Sequence, residues 1–236
     1  MNRWLCVSVL LAGAAWVASL YGWYGLYDRL PDPVPVHWNA AGKADGFVPR
    51  PDALPYLLMV PGMMTGFVLL TLVLPWLSPR HFEIDRFRGT YNYLMALIQA
   101  LFAYLHGAIL AVTFGAKADI GTLIMGGMFL FFALMGNVLG KVRRNFWVGV
   151  RTPWTLASEA VWVRTHRQTA WVWVAGGTVG FLAILAGVPA LLTLVLLLPV
   201  LVLYPVVYSL VLYKRLQREG KLEAPVAAAS REGDLT

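Results

Sequence analysis

Four polar residues recur at intervals of seven through one apolar segment of the chain: Asn92, Gln99, His106 and Thr113. In a helix this spacing returns to nearly the same face, so the four side chains form one stripe. Polar groups are costly at membrane depth, so the stripe must face other helices or water. One interpretation is a path for protons or a small ligand, with His106 as the titrating residue. The other is hydrogen bonding between helices, worth about 1 kcal/mol or less per contact. The segment has no Asp or Glu to complete a relay, which favours the second.

A second polar group lies in the proline-rich residues 28–54, where Pro31, Pro33 and Pro35 predict an extended, stiff stretch before a turn at residues 42–46. We interpret six residues there as a binding surface for a peptide or other ligand: His37, Trp38, Asn39, Gly42, Asp45 and Gly46. The alternative is that Trp38 seats the loop at the membrane interface while Asn39 and Asp45 close turns. His37 and Asp45 are too few ligands for zinc, so we expect no metal and no cofactor.

The third group is a polar, aromatic and turn-rich stretch at residues 145–167. Thr152 before Pro153 predicts a helix start, and Thr155 offers a second cap. We find no helix breaker from there to Gly176 and Gly177, so we expect an amphipathic interfacial helix that bends or runs straight into the next span. Its candidate partner-binding residues are Asn145, Gly149, Arg151, Thr152, Pro153, Trp154, Thr155, Trp162, His166 and Arg167.

The charge of this stretch has a simpler explanation. Arg164 and Arg167 form a cationic face beside the face shared by Glu159, Trp162 and His166. Such a surface can contact anionic lipid headgroups, at about 1 kcal/mol per cation. Lipid contact explains the charge, but not the order of turn-forming and aromatic residues, which predicts a shaped loop docked into the mouth of a helix bundle.

No catalytic set is recognisable, since the chain has no Gly-rich phosphate cradle and no Ser, His and acid combination that the sequence brings together. We therefore expect no enzyme activity. A membrane enzyme that uses His37, Asp45 or Glu159 remains a minor alternative.

The composition places these groups in a membrane protein. Of 236 residues, 59% are hydrophobic and 13% are charged, against about 25% charged in ordinary soluble domains. The net charge of +7 is not accompanied by a basic face with base-reading side chains, so we expect no direct nucleic-acid binding. The single cysteine, Cys6, excludes an internal disulfide.

About 20 apolar residues span a bilayer, and six segments qualify, at residues 4–24, 55–77, 91–114, 120–139, 170–186 and 191–213. The sequence thus predicts an all-α polytopic bundle of six spanning helices. Its parts are an uncleaved anchor (1–27), the proline-rich loop (28–54), helices two to four (55–140), the polar stretch (141–169), helices five and six (170–213) and a basic tail with a disordered end (214–236).

Lys and Arg concentrate on the cytoplasmic side of membrane proteins. With the N-terminus inside, 15 of the 19 lysine and arginine residues are cytoplasmic, and Arg29, Lys43, Arg50 and Lys117 are outside. We therefore expect both termini in the cytoplasm, the proline-rich loop outside and the polar stretch inside.

Small residues and prolines predict how the helices pack. Glycines four apart let helix backbones approach closely, at Gly62 with Gly66, Gly136 with Gly140 and Gly176 with Gly180. Pro199 and Pro205 should bend the sixth helix or open a gap in its hydrogen bonding.

The polar stretch also resembles the SdpI family of bacterial membrane immunity and signalling proteins, through Asn145, Gly149, Arg151, Thr152, Pro153, Trp154, Thr155, Leu156, Trp162 and His166. The outer loop is similar to the short domain of unknown function that commonly precedes that signature, through Pro35, His37, Trp38, Asn39, Gly42, Asp45 and Gly46.

The resemblance implies a multi-pass protein of the bacterial cytoplasmic (inner) membrane that protects the cell from a secreted peptide toxin. It also implies that a repressor-like protein is held at the inner face. A transporter or channel that uses the stripe through His106 is the rival interpretation. The sequence predicts contact with the lipid bilayer and leaves the oligomeric state open.

Overall fold

The computed structural model describes residues 2–39, 41–79 and 84–222. Within them are seven helices: α1 (Arg3–Gly25), α2 (Leu54–Val73), α3 (Arg88–Thr113), α4 (Ile120–Leu139), α5 (Pro153–Ala157), α6 (Glu159–Leu185) and α7 (Ala190–Arg218). All except α5 are long and apolar enough to cross a membrane. The predicted all-α polytopic bundle of six spanning helices is therefore confirmed. Arg80, Arg231 and the predicted disordered end of the tail lie outside the described residues.

A small β-hairpin departs from the sequence prediction. Strand β1 (Val34–Trp38) pairs antiparallel with β2 (Ala44–Val48), with an irregularity in register around His37. Backbone hydrogen bonds join Asn39 to Gly42 and Lys43 at the turn, so Asp45 and Gly46 belong to a strand and not to the predicted turn at 42–46. Pro35 is compatible with the strand because a two-stranded ribbon leaves one edge of each strand unpaired.

The hairpin packs on one end of the bundle. Leu30, Val34, Ala53 and Leu57 form a buried apolar cluster there, with Leu110 and Phe114 of α3 packed against it. Gly42 has φ +72°, and a Cβ on it would lie 2.8 Å from Oδ2 of Asp119. Asp119 caps α4 by accepting a hydrogen bond from the Thr122 amide. We call this the hairpin end.

The opposite end gathers the start of α1, the start of α3, residues 141–158 and the last turns of α7. Trp4 and Tyr93 contact edge to face at 4.8 Å, and Trp147 Nε1 donates to Ser78 Oγ at 3.0 Å. Trp154 packs against Leu212 and Leu216 of α7. Because most of the described cations also lie here, we call this the basic end.

Prolines inside two helices each free a carbonyl that another helix satisfies. Proline cannot donate to the carbonyl four residues earlier, so Pro61 frees that of Leu57 and Pro205 frees that of Leu201. Ser19 Oγ of α1 donates to the Leu57 carbonyl at 2.7 Å. Trp173 Nε1 of α6 donates to the Leu201 carbonyl at 2.8 Å. The gap in hydrogen bonding predicted at Pro205 is thus filled by a hydrogen bond from α6, and α7 continues as a helix through Pro205.

Glycines bring α4 and α6 together. A Cβ at Gly136 would lie 2.7 Å from the Val174 amide nitrogen, and one at Gly177 would lie 2.5 Å from that of Ala133. Gly62 and Gly66 instead have nothing within 4 Å of such a Cβ. Among the residues that the structure describes, the packing contact predicted for that pair is therefore not made.

The boundaries of α5 and α6 correct a second prediction. Ser158 is extended, with φ −142° and ψ 130°, and its hydroxyl accepts from the Val161 amide, so a new helix begins at Glu159. The sequence did not predict this break, because a serine can also lie inside a helix and ends one only where its side chain caps the helix that follows. Gly176 and Gly177 were expected as breakers, but α6 runs through both to Leu185 because α7 packs against Gly176 and α4 packs against Gly177.

Candidate functional site

Residues 141–158, which we call the docked segment, connect α4 to α6 at the basic end and are organised around Asn145. Its side chain is fully buried. Its Oδ1 accepts from the amides of Trp147 and Val148 at 2.8 and 2.7 Å. Its Nδ2 donates to the carbonyls of Arg143 and Val148 at 2.8 and 2.9 Å. The amide thus uses both donors and both acceptor sites of asparagine to fix the loop.

The next contact joins the segment to α6 through His166. Nε2 of His166 accepts from the Val150 amide at 3.0 Å, and Nδ1 donates to the Trp162 carbonyl at 2.9 Å. An accepting Nε2 and a donating Nδ1 define one neutral tautomer. The ring stacks on Trp162, with centroids 4.0 Å apart. Gly149 has φ +120°, and a Cβ there would collide with Nε2 of His166.

Thr152 and Thr155 form a reciprocal cap at the start of α5. The Thr155 amide donates to Oγ1 of Thr152 at 3.2 Å, and the Thr152 amide donates to Oγ1 of Thr155 at 2.9 Å. The Thr155 hydroxyl also donates to the Val150 carbonyl at 2.7 Å. Thr152 Oγ1 shares a hydrogen bond with Ser209 Oγ of α7 at 3.1 Å. The predicted start at Thr152 is correct, and the cap also links the segment to the last spanning helix.

Two further contacts fix the ends of the segment. Trp162 Nε1 donates to the Val142 carbonyl at 2.8 Å from a fully buried position. Arg144 lies 3.2 Å from a carboxylate oxygen of Glu159 and donates to the Leu156 carbonyl at 3.3 Å. The segment therefore contacts α6 at three places: Val142 with Trp162, Arg144 with Glu159, and Val150 with His166.

The helix predicted from Thr152 onwards is interrupted once, at Ser158, and its part from Glu159 onwards is helical. The docked segment is a loop followed by the single turn of α5, and α6 then runs straight into its span. The reason is that side chains of Asn145, Thr155 and Ser158 satisfy backbone groups that a continuous helix would satisfy itself.

Burial divides the ten residues predicted to bind a partner. Five are buried and hold the loop, so in this structure they present no surface to a partner: Asn145, Thr152, Thr155, Trp162 and His166. Gly149 is exposed, although a Cβ on it would point at His166. Trp154 is half-buried against α7. Arg151, Pro153 and Arg167 are exposed. Arg151 also lies over the Phe146 ring, at 5.0 Å from its centroid.

One acidic group at the basic end has a lowered pKa. Hydrogen bonds from the Arg215 guanidinium and from Lys221 lower the pKa of Glu219, just beyond α7, to about 2. Glu219 therefore stays ionised at neutral pH and neutralises part of the positive charge at the end of α7.

The stripe of α3 is turned inwards at three of its four positions. Gln99, His106 and Thr113 are buried, and Asn92 is half-buried. Gln99 Nε2 donates to the Met64 carbonyl at 2.8 Å. His106 Nε2 lies 2.9 Å from Ser19 Oγ, and because Ser19 donates to Leu57, the imidazole N–H is the donor. These side chains join α1, α2 and α3. His106 and Thr113 also line a cavity of about 60 Å³ beneath the hairpin.

The six residues predicted as a ligand surface lie together on the hairpin. His37 Nδ1 and Asp45 Oδ1 are 2.5 Å apart across the two strands, and both are exposed. Asn39 Oδ1 accepts from the amides of Ala41 and Lys43 at 3.0 and 3.2 Å, which closes the turn. Gly46 is tightly packed, since a Cβ there would lie 2.8 Å from that of His37.

Trp38 is half-buried at the rim of two cavities. The larger, of about 430 Å³, opens between the hairpin and the end of α3. It is lined by Arg29, Pro31, Pro33, Pro35, Trp38, Ala44, Phe47, Val112, Thr113, Phe114 and Gly115. Its walls are mainly apolar and aromatic, so the arrangement suits an apolar or aromatic side chain of a ligand.

The described residues do not assemble a set of three or more His, Cys, Asp or Glu side chains that would hold a metal ion. The hairpin end carries a mainly apolar and aromatic cavity, and the basic end carries exposed guanidinium groups.

Sequence reasoning missed three serines that complete these contacts: Ser19, Ser158 and Ser209. A signal existed for Ser19, because Pro61 leaves the Leu57 carbonyl without its helical partner. Ser158 had a local signal as well, because a serine can cap a helix that begins directly after it. Ser209 depends on Thr152, a distant part of the chain, and no local pattern indicates it.

Comparison with known proteins agrees with this architecture. Residues 141–209 match the SdpI/YfhL protein family, and residues 10–65 match a domain of unknown function, DUF1648. The chain is 25% identical over 211 residues to "Immunity protein SdpI" of Bacillus subtilis (strain 168), which covers 89% of this chain and 96% of the relative. No solved structure matches. The predicted resemblance is thus confirmed, and none of these descriptions names an enzyme.

Proposed function

We propose, starting from this similarity, that the chain is a multi-pass membrane protein of the SdpI type that gives its cell immunity to a secreted peptide toxin. The observation that supports the proposal most is the similarity to an immunity protein over 96% of that protein's length. It includes both the hairpin and the docked segment, and so goes beyond a shared pattern of apolar helices.

The orientation we propose follows from charge. The basic end faces the cytoplasm, so both termini are inside and the hairpin end faces outwards. The support is that 15 of the 19 lysine and arginine residues fall on the cytoplasmic side in this orientation. The membrane is then the bacterial cytoplasmic membrane, where a secreted peptide would first meet the hairpin.

We place the toxin on the hairpin and the neighbouring groove. The groove is apolar and aromatic, and Phe47 beside it is 52% exposed. The polar pair of His37 and Asp45 lies on the same hairpin and can bind peptide groups. An aromatic anchor in a pocket beside polar groups is the usual composition of a peptide-binding surface.

At the basic end we propose that exposed cations bind a cytoplasmic regulator. Arg151, Pro153 and Arg167 remain accessible when the docked segment is folded. The buried residues of the segment hold Arg151 in position through the backbone, because His166 accepts from the Val150 amide before it and Thr155 accepts from the Thr152 amide after it. The regulator would present acidic groups to these guanidiniums.

Immunity is tested with a strain of the source bacterium that lacks this gene, grown in spent medium of its parent. We expect survival to fall by at least about tenfold and to return when the intact chain is supplied. We also expect Trp38→Ala with Phe47→Ala, expressed at the normal level, not to restore survival, because the groove loses two of its aromatic walls.

Trp76→Ala with Leu77→Ala is the matched control, since both residues are exposed and lie towards the basic end. This variant should protect fully. Equal survival of the deletion strain and its parent would contradict the immunity proposal. Full protection by the Trp38 and Phe47 variant would contradict only the position of the toxin site.

A further inference from the structure

A groove between α4 and α6 at the basic end shares one residue, Arg167, with the surface proposed to bind a regulator, and the rest of its lining has no part in the proposed function. It has a volume of about 340 Å³ and is lined by Gly136, Asn137, Gly140, Lys141, Arg167, Ala170, Trp171 and Val174. It opens on the outer surface of the bundle, because Trp171 is 73% exposed. The groove is therefore directed at the lipid beside the protein.

The groove exists because three small residues face each other. Gly136 and Gly140 contribute no side chain on α4, and Ala170 contributes only a methyl group on α6. At Gly136 the two helices touch backbone to backbone, since a Cβ there would lie 2.8 Å from the Ala170 carbonyl oxygen. Towards the helix ends the space widens, and a Cβ at Gly140 would lie 3.8 Å from Ala170 and from Arg167.

The mouth of the groove is cationic and its depth is apolar. Lys141 follows the end of α4, and Arg167 lies one turn from Trp171 on α6. In residues 2–39, 41–79 and 84–222 neither cation forms an ion pair with a carboxylate. Val174 and Trp171 line the side nearer the membrane centre. Two cations and an exposed amide, that of Asn137, thus stand above an apolar channel.

We propose that this groove binds one anionic phospholipid. The headgroup phosphate lies between Lys141 and Arg167, and an acyl chain follows Trp171 and Val174 along α6. The groove changes from cationic at its mouth to apolar in its depth, as an anionic lipid changes from a charged headgroup to an apolar chain. Basic pockets between helices attract anionic headgroups, and an indole at the interface packs beside the glycerol and upper acyl region.

The test is native mass spectrometry of the full chain. The protein in detergent is mixed with phosphatidylglycerol, cardiolipin or phosphatidylethanolamine, and the lipid that stays bound after the detergent is removed is counted. We expect one retained molecule of an anionic lipid and at least about tenfold weaker retention of phosphatidylethanolamine. Replacing both cations, as Lys141→Gln with Arg167→Gln, should weaken the anionic complex about 25-fold, at about fivefold per cation. Gly140→Leu should weaken it as well, because it fills the groove without changing charge.

Arg143→Gln with Arg164→Gln is the control, since it removes the same charge from exposed positions at the same end. Its lipid affinity should match that of the unchanged protein. The proposal is overturned if the control weakens binding as much as the groove variant, if Gly140→Leu has no effect, or if phosphatidylethanolamine binds equally well. Displacement of the lipid by millimolar inorganic phosphate would equally overturn it, since the site would then be one for a free anion.

Discussion

Gly149→Ala should lower the stability of the folded protein by about 2 to 6 kcal/mol. An alanine at φ +120° costs about 1 to 3 kcal/mol in backbone strain. Its Cβ would also displace His166, whose Nε2 accepts from the Val150 amide, and a buried amide without a partner costs about 1 to 3 kcal/mol more. For a chain of this size the midpoint of thermal unfolding should fall by on the order of 10 °C. Thermal unfolding of the purified protein in detergent measures this.

Gly115→Ala separates the two causes. Gly115 has a comparable backbone angle, φ +96°, but nothing lies within 4 Å of a Cβ there. It should therefore show the cost of strain alone, and lose less than half of what Gly149→Ala loses. Equal losses in the two variants would mean that the contact with His166 contributes nothing to the docked segment.

Asn145→Asp should destabilise the protein by about 3 to 5 kcal/mol, although the two side chains have the same shape. The new oxygen faces the carbonyls of Arg143 and Val148, to which Nδ2 of asparagine donates. Two hydrogen bonds are lost, and a buried carboxylate is created among acceptors. The same thermal measurement applies, and it should be accompanied by limited proteolysis, which should cut within residues 141–158.

Asn39→Asp is the control, because the same substitution there should cost almost nothing. Asn39 is exposed, and its Oδ1 accepts from two amides, which a carboxylate does as well. A loss of less than about 1 kcal/mol for Asn145→Asp would show that Asn145 does not organise the segment.

The sequence was sufficient for the spanning helices because their signal is composition over about 20 residues. It also located the helix start at Thr152, since a threonine before proline has a local physical meaning. It did not reveal the hairpin, because prolines that predict an extended chain do not say what the chain pairs with. The break at Ser158 was missed for a related reason, as it depends on a side chain that caps the following helix.

The sequence identified the residues of the candidate sites but not what each residue does there. Asn145, Gly149 and His166 stand out in the sequence, yet only the structure distinguishes a residue that holds the loop from one that faces a partner. The distinction depends on burial and on backbone partners up to 20 residues away, as between Val142 and Trp162. Arg151, Pro153 and Arg167 are the members of the set that remain available for binding.

The proposed function assigns different tasks to the two ends: we propose that the hairpin meets a peptide outside the cell and that the docked segment meets a regulator inside. If the bundle were inserted in the opposite orientation, the hairpin would face the cytoplasm and the docked segment would face outwards. The native chain has one cysteine, Cys6, so a Cys6→Ser background allows single reporter cysteines to be placed at each end.

The most direct test is therefore labelling of whole cells with a membrane-impermeant maleimide. Ala41→Cys reports the hairpin turn and Ala157→Cys reports α5, and both positions are exposed and uncharged. We predict that the cysteine at position 41 is labelled in intact cells, and that the one at position 157 is labelled only after the membrane is opened. Labelling at position 157 but not at position 41 in intact cells would contradict the account.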